Sequence, residues 1–127
     1  MTLSFNHLGR LGFLANQMFQ YAAIKGIAAH NKIEYMIPVD EEMQLSQGFK
    51  MTNATQNRGF LGSLNRRDGR GAPIDCPIVA ESGFEFDEYL FNNPPKDASL
   101  YGFFQSEKYF LNIWDELQED FTFHDEI

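Results

Sequence analysis

The pattern of hydrophobic and polar positions predicts short strands that alternate with helices. Four short apolar runs, rich in β-branched and aromatic residues, predict strands at residues 2–5, 33–38, 77–80 and 99–104. Apolar residues at helical spacing predict helices at residues 17–30 and 107–120. The first three of these elements have the order of a βαβ unit, whose two strands are parallel. We therefore expect an α/β fold with a parallel sheet.

The first predicted helix is apolar around nearly its whole circumference, and such a helix is normally buried. Asn16 directly precedes it and is a favourable N-cap residue. Gly26 lies inside it and weakens it by roughly 1 kcal/mol relative to alanine. We expect this glycine to permit close packing of the helix on a strand.

The second predicted helix has a favourable N-cap residue in Ser106 and an apolar face. On that face, Tyr109, Phe110 and Trp114 are predicted core residues. Residues 40–75 have the glycines and arginines of a long loop, with one short helix at most. Residues 92–95 (NNPP) predict a turn.

The composition excludes several classes of function. We expect a single domain over residues 1–127, and the apolar fraction of 43% suffices for a core. A net charge of −8 disfavours nucleic acid and anionic lipid as partners. No apolar run approaches the ~20 residues of a transmembrane helix, and the first residues lack the pattern of a signal peptide. We expect a cytoplasmic protein, with peripheral membrane contact left open.

The corner between the first strand and the first helix offers chemistry for an anionic ligand. A helix N-terminus presents unpaired backbone N–H groups and the positive end of the helix dipole, which together hold phosphate. Asn16 and Gln17 add amide donors, and Gly9 and Gly12 let the backbone approach a ligand closely. The alternative is that Asn16 only caps the helix and the glycines only turn the chain. The glycines lack the dinucleotide-binding spacing, and spacing alone favours this structural alternative.

Two further residues are candidates for the same site. Gln105 ends a predicted strand, and ligands of open α/β sheets lie outside the carboxyl ends of the strands. His7 lies in the loop before the corner, where it is a candidate base or hydroxyl partner, although a solvent-exposed loop histidine is the simpler interpretation. No cluster has metal-ligand spacing, so we expect no metal. The single cysteine, Cys76, excludes an internal disulfide.

Two motifs carry a resemblance to a known family. Residues 12–22 (GFLANQMFQYA) resemble the G-x-L-G-N-Q-M-F-Q-Y-A pattern of the bacterial α-1,2-fucosyltransferases, glycosyltransferase family eleven. Residues 102–110 (GFFQSEKYF) resemble the family's G-[YF]-F-Q-S-E-K-Y-F block. Ala15 departs from the glycine that the family often has there. Residues 40–98 show no such resemblance.

The resemblance implies the Rossmann-like N-terminal half of a two-domain glycosyltransferase of the GT-B type. The implied reaction transfers fucose from GDP-fucose to a sugar 2-hydroxyl with inversion, without a metal or other cofactor. Its partners are the sugar nucleotide, a glycan acceptor and the C-terminal half of the enzyme. The resemblance also implies that Gly12, Asn16 and Gln17 line the donor site. It assigns no catalytic residue.

One part of the family pattern is missing. Its diphosphate-binding signature, H-x-R-R-x-D, follows the second motif, and its arginines suit bidentate phosphate contacts. Residues 64–69 (LNRRDG) contain an arginine pair but lack the histidine and the final aspartate, and they precede the second motif. We therefore expect a fragment without the donor-binding second half, inactive alone. The alternative is a non-catalytic remnant, or an α/β domain that binds sugar or a partner without turnover.

Overall fold

The computed structural model describes residues 2–6, 8, 14–38, 44–51, 77–83, 85–95 and 97–122. Four strands form one sheet: β1 (Thr2–Ser4), β2 (Glu34–Met36), β3 (Ile78–Ala80) and β4 (Ala98–Tyr101). Their order is β2-β1-β4-β3, and every neighbouring pair is parallel. The predicted α/β fold with a parallel sheet is confirmed, and each predicted strand overlaps an observed one.

Helical segments follow the strands along the chain. They are α1 (Leu14–Asn31), α2 (Gln44–Gly48), α3 (Glu88–Asn92) and α4 (Trp114–Asp120). Two 3-10 turns, Glu107–Tyr109 and Leu111–Ile113, precede α4. The long helix α1 contacts β1 and β2 of the sheet and also both 3-10 turns. The core therefore forms around α1.

The buried helix was predicted correctly, but its start was not. Residues 20–28 of α1 are all buried. The helix begins at Leu14, so Asn16 is its third residue, and the prediction of Asn16 as N-cap is wrong. Leu14 packs against the hydrophobic core, and Ala15 has the highest helix propensity of any residue. Both favour extending the helix beyond Asn16 towards its N-terminus.

Gly26 permits a close backbone contact, although its partner is not a strand. A Cβ atom built at residue 26 would lie 1.9 Å from the carbonyl oxygen of Tyr109 and 2.9 Å from the Cα of Phe110. The amide of Asn112 also donates to the carbonyl oxygen of Gly26 at 3.1 Å. The absence of a side chain at this position therefore lets α1 lie directly against the chain segment after β4.

The predicted helix over residues 107–120 is interrupted in its first half. Ser106 caps the first 3-10 turn by accepting from the backbone N–H of Lys108, as predicted for an N-cap. Phe110 and Ile113 have non-helical backbone angles, so α4 starts only at Trp114. Because of this interruption, residues 107–120 do not share one apolar face. The Trp114 side chain is 51% exposed. Its prediction as a core residue is wrong, whereas Tyr109 and Phe110 are buried.

The helix α3 lies just before the predicted turn and was not expected from the sequence. The Asp87 side chain accepts a hydrogen bond from the N–H of Leu90 at 3.0 Å and caps the helix. Glu88 follows in the first turn, where a carboxylate suits the helix dipole. An aspartate followed by a glutamate is a recognised helix start signal, and here it outweighs the short length of the segment.

A buried ion pair joins α1 to the end of α4. The Lys25 ammonium lies 2.9 Å from Asp120, whose side chain is fully buried, and 3.6 Å from Glu116. The Tyr21 hydroxyl donates to the same Asp120 oxygen at 2.6 Å. Burial raises the pKa of Tyr21, so the phenol stays protonated as a donor. Removing one member of such a pair would leave an uncompensated buried charge.

We predict that Gly26→Ala destabilises the protein even though alanine favours helices. The new Cβ would meet the Tyr109 carbonyl oxygen, and overpacking typically costs about 1–3 kcal/mol. The propensity gain of roughly 1 kcal/mol offsets only part of that cost. Gly48→Ala in α2 is the matched control, since nothing lies within 4 Å of its added Cβ. Urea unfolding should show a lower midpoint for Gly26→Ala alone; a midpoint at or above wild type would contradict the contact.

Candidate functional site

The candidate site lies where the chain leaves β1 and β4. These two parallel strands are neighbours in the middle of the sheet, so their carboxyl ends reach the same edge. The chain after β1 leads to the N-terminus of α1, and the chain after β4 leads through residues 102–106 to the first 3-10 turn. Ligands of open α/β sheets bind outside this edge.

The amides of Asn16 and Gln105 meet at this edge. The Gln105 side-chain nitrogen donates to the Asn16 side-chain oxygen at 3.3 Å, across 89 residues of sequence. Gln105 is exposed, and Asn16 is partly exposed. This hydrogen bond uses the oxygen of Asn16 and the nitrogen of Gln105. The opposite atoms, the Asn16 nitrogen and the Gln105 oxygen, give the pair one donor group and one acceptor that the bond does not engage.

The N-terminus of α1 adds backbone donors beside this amide pair. The N–H groups in the first turn of an α-helix have no partner within the helix, which here applies to residues 14–16. The first turn of α1 contains no acidic residue to neutralise the helix dipole. The predicted anion-favouring corner therefore includes both a helix end and the side chain of Asn16. His7 and Gly12, the other predicted members, lie outside the described residues.

Gln17 has a different environment from Asn16. Its side chain is buried, and its oxygen accepts a hydrogen bond from the backbone N–H of Leu45 at 3.3 Å. Leu45 is in the first turn of α2, so Gln17 connects α1 to α2. The predicted contact of Gln17 with a donor substrate stays a prediction. The structure brings Asn16 and Gln105 together and directs Gln17 elsewhere.

A buried polar cluster that was not predicted fixes the turn after β1. The backbone N–H of Asn6 donates to the Ser99 hydroxyl at 2.9 Å, and the Ser4 hydroxyl donates to the Asn6 side-chain oxygen. All three residues are at most 1% exposed. The cluster joins the exit of β1 to the beginning of β4, where Ser4 is paired with Ser99. Serine in an apolar strand and asparagine directly after one were the available signals.

Glu81 holds the segment that carries Gln105. Glu81 follows β3, and its carboxylate accepts from the Phe104 backbone N–H at 3.2 Å and from the Tyr109 hydroxyl at 2.8 Å. Phe104 has a φ of 51°, and Gly102 has a φ of 148°. A positive φ is unfavourable for phenylalanine, so the bond from Glu81 compensates for local strain. Burial raises the pKa of the Glu81 carboxyl above its usual range, and burial also raises the pKa of the Tyr109 phenol.

An apolar groove of about 580 Å³ opens beside the amide pair. It lies between α1 and the segment from Gln105 to Phe121, and Ala15 belongs to its wall. Phe19, Phe110 and Trp114 supply aromatic surface. Gln105 belongs to both the groove and the amide pair. The apolar groove therefore begins at the polar edge of the sheet.

Metal and membrane features are absent from the described part of the chain. No three His, Cys, Asp or Glu side chains lie close enough there to hold a metal ion. Within the same ranges, no helix combines the length and the hydropathy needed to cross a bilayer. Comparisons of the chain with family models, curated proteins and solved structures find no match.

We predict that Glu81 makes stability depend on pH. Because its folded pKa is raised above the ordinary value of 4.5, the folded state keeps the proton longer than the unfolded state. Its contribution to stability is full below about pH 4.5 and declines as the pH rises through the folded pKa. The melting temperature of Glu81→Gln should decline less with rising pH than that of wild type.

Glu85→Gln is the control for this experiment, because Glu85 is exposed and also follows β3. Its melting temperature should follow the wild-type pH profile. If Glu81→Gln and Glu85→Gln gave the same profile between pH 4.5 and 7.5, Glu81 would have no raised pKa in the folded protein.

Proposed function

We propose that this chain is the Rossmann-like N-terminal half of a GT-B-type glycosyltransferase that transfers fucose from GDP-fucose to a sugar 2-hydroxyl. One observation carries the proposal. The two motifs that resemble the α-1,2-fucosyltransferases are far apart in sequence, yet their amides meet through the Gln105–Asn16 hydrogen bond. They meet at the sheet edge where ligands of α/β folds bind.

The proposed donor site uses local features to hold an anion. The overall charge of −8 repels a nucleoside diphosphate, so attraction has to come from groups at the site. Backbone N–H groups at the start of α1 and the amide nitrogen of Asn16 would donate to phosphate oxygens. Gln105 would contact a sugar hydroxyl. We propose Gly12 and His7 as further members, with Gln17 supporting the site through its bond to α2, and a glycan acceptor and a complementary C-terminal half as partners.

The chain lacks the arginines that would complete this site. No H-x-R-R-x-D segment is present in the sequence, and charge stabilisation of the leaving diphosphate is usually a large catalytic term. We therefore expect the chain alone to bind the donor weakly and to turn it over no faster than background.

We predict that Asn16→Asp weakens donor binding without harming the fold. A carboxylate at residue 16 would face the diphosphate, and the amide donor would be lost. An acidic residue in the first turn of α1 suits the helix dipole, so the melting temperature should be unchanged or slightly higher. We expect the dissociation constant for GDP-fucose to rise at least about tenfold, equivalent to roughly 1.4 kcal/mol.

Heteronuclear NMR titration measures the dissociation constant for GDP-fucose directly, because it detects weak binding and resolves side-chain amides. GDP-fucose should shift the backbone signals of residues 14–17 and the side-chain amide signals of Asn16 and Gln105. Gln118→Glu, which changes an exposed amide on α4, is the charge-matched control and should bind like wild type. Equal affinity of Asn16→Asp and Gln118→Glu, or no shifts at millimolar GDP-fucose, would rule out a donor site at this corner.

A further inference from the structure

The apolar groove has the volume and lining of a binding site for an apolar group. Its volume of about 580 Å³ is within the range of small-molecule sites. The centroid of the Phe110 ring is 6.0 Å from that of Phe19 and 6.4 Å from that of Trp114. The Phe110 and Trp114 rings are stacked, with 18° between their planes. Trp114, which is 51% exposed, belongs to the lining of this groove. A large exposed aromatic beside a concave apolar surface is typical of a ligand site rather than a core.

One end of the groove is polar and continuous with the amide pair. Gln105 lines the groove and also bonds Asn16, and the wall residue Ala15 directly precedes Asn16. The ligand should therefore combine an apolar body with a head group that forms hydrogen bonds. Glu107 also lines the groove, and its carboxylate favours an uncharged ligand inside the groove itself.

We propose that this groove binds the hydrocarbon part of a lipid-linked or alkyl-linked neutral sugar, with the saccharide at the Asn16–Gln105 end. The assignment of that saccharide as the acceptor rests on the proposed function. In this arrangement the sugar hydroxyls lie next to the corner where the donor would bind. The groove then selects acceptors by their hydrocarbon portion, Gln105 contacts the acceptor sugar, and the Asn16 amide stays available to the donor phosphates.

The single tryptophan of the chain reports on the groove. Trp114 is the only tryptophan in the sequence, and filling the groove removes water from its indole ring. Titration with hexyl, heptyl and octyl β-D-galactoside below their micellar concentrations should shift Trp114 emission to shorter wavelength with saturation. Each added methylene should tighten binding by about fourfold, from the free energy of burying one CH₂ group. Galactose and octanol, each carrying half of the ligand, should bind at least about tenfold more weakly.

A pair of matched variants tests the location. Ala15→Arg places a charged chain at the wall of the groove and should weaken octyl galactoside at least about tenfold. Ala29→Arg changes an exposed alanine near the other end of α1 and should leave binding unchanged. Circular dichroism confirms that both variants are folded. If Ala15→Arg loses the fold, Gln105→Ala replaces it, with weaker galactoside binding and unchanged octanol binding expected.

Three results would overturn the proposal. The first is an affinity that does not depend on the length of the alkyl chain, and the second is octanol binding as tightly as octyl galactoside. The third is equal binding of octyl galactoside by Ala15→Arg and Ala29→Arg. A protein that sedimented as a dimer, became monomeric with Ala15→Arg and did not respond to glycosides would show a second copy covering the groove. The titration contains no GDP-fucose, so glycoside binding without donor binding would reject the proposed transferase and retain the groove.

Discussion

The rest of the structure depends on the close approach of α1 to the segment after β4. Residue 26 has no side chain, so the Tyr109 carbonyl occupies the space where a Cβ atom would lie. This contact sets the distance between α1 and the 3-10 turns, and both the amide pair and the groove lie between those elements. A wider separation would move Gln105 away from Asn16 and change the groove.

Polar side-chain contacts make the packing of α1 against the segment after β4 specific. Hydrophobic burial is non-directional and fixes no single angle between the helix and the following segment. The Lys25–Asp120 ion pair joins α1 to the end of α4, and the Glu81 carboxylate holds Phe104 and Tyr109. Both of these polar contacts join residues that are distant in sequence. Together with the Gly26 contact, they fix the segment that carries Gln105 at both ends.

The local signals in the sequence predicted the elements better than their contacts. The spacing of apolar positions and the residue composition were sufficient to predict the four strands and the burial of α1. The start of α1 at Leu14 and the break before Trp114 were missed, because core packing of Leu14 and the Gly26 contact decide them. The burial of Asn6 could not be predicted, since its partner Ser99 is brought near only by the pairing of β1 with β4. Asn16 and Gln105 were chosen from separate arguments, and their hydrogen bond could not be predicted.

The central claim is that the Asn16–Gln105 corner holds the phosphates of a sugar nucleotide. A crystal structure with GDP bound is the most direct measurement. We expect a phosphate oxygen within hydrogen-bond distance of the Asn16 amide nitrogen or of a backbone N–H in residues 14–16. GDP bound elsewhere, with the Asn16–Gln105 hydrogen bond intact and no phosphate near the start of α1, would contradict it.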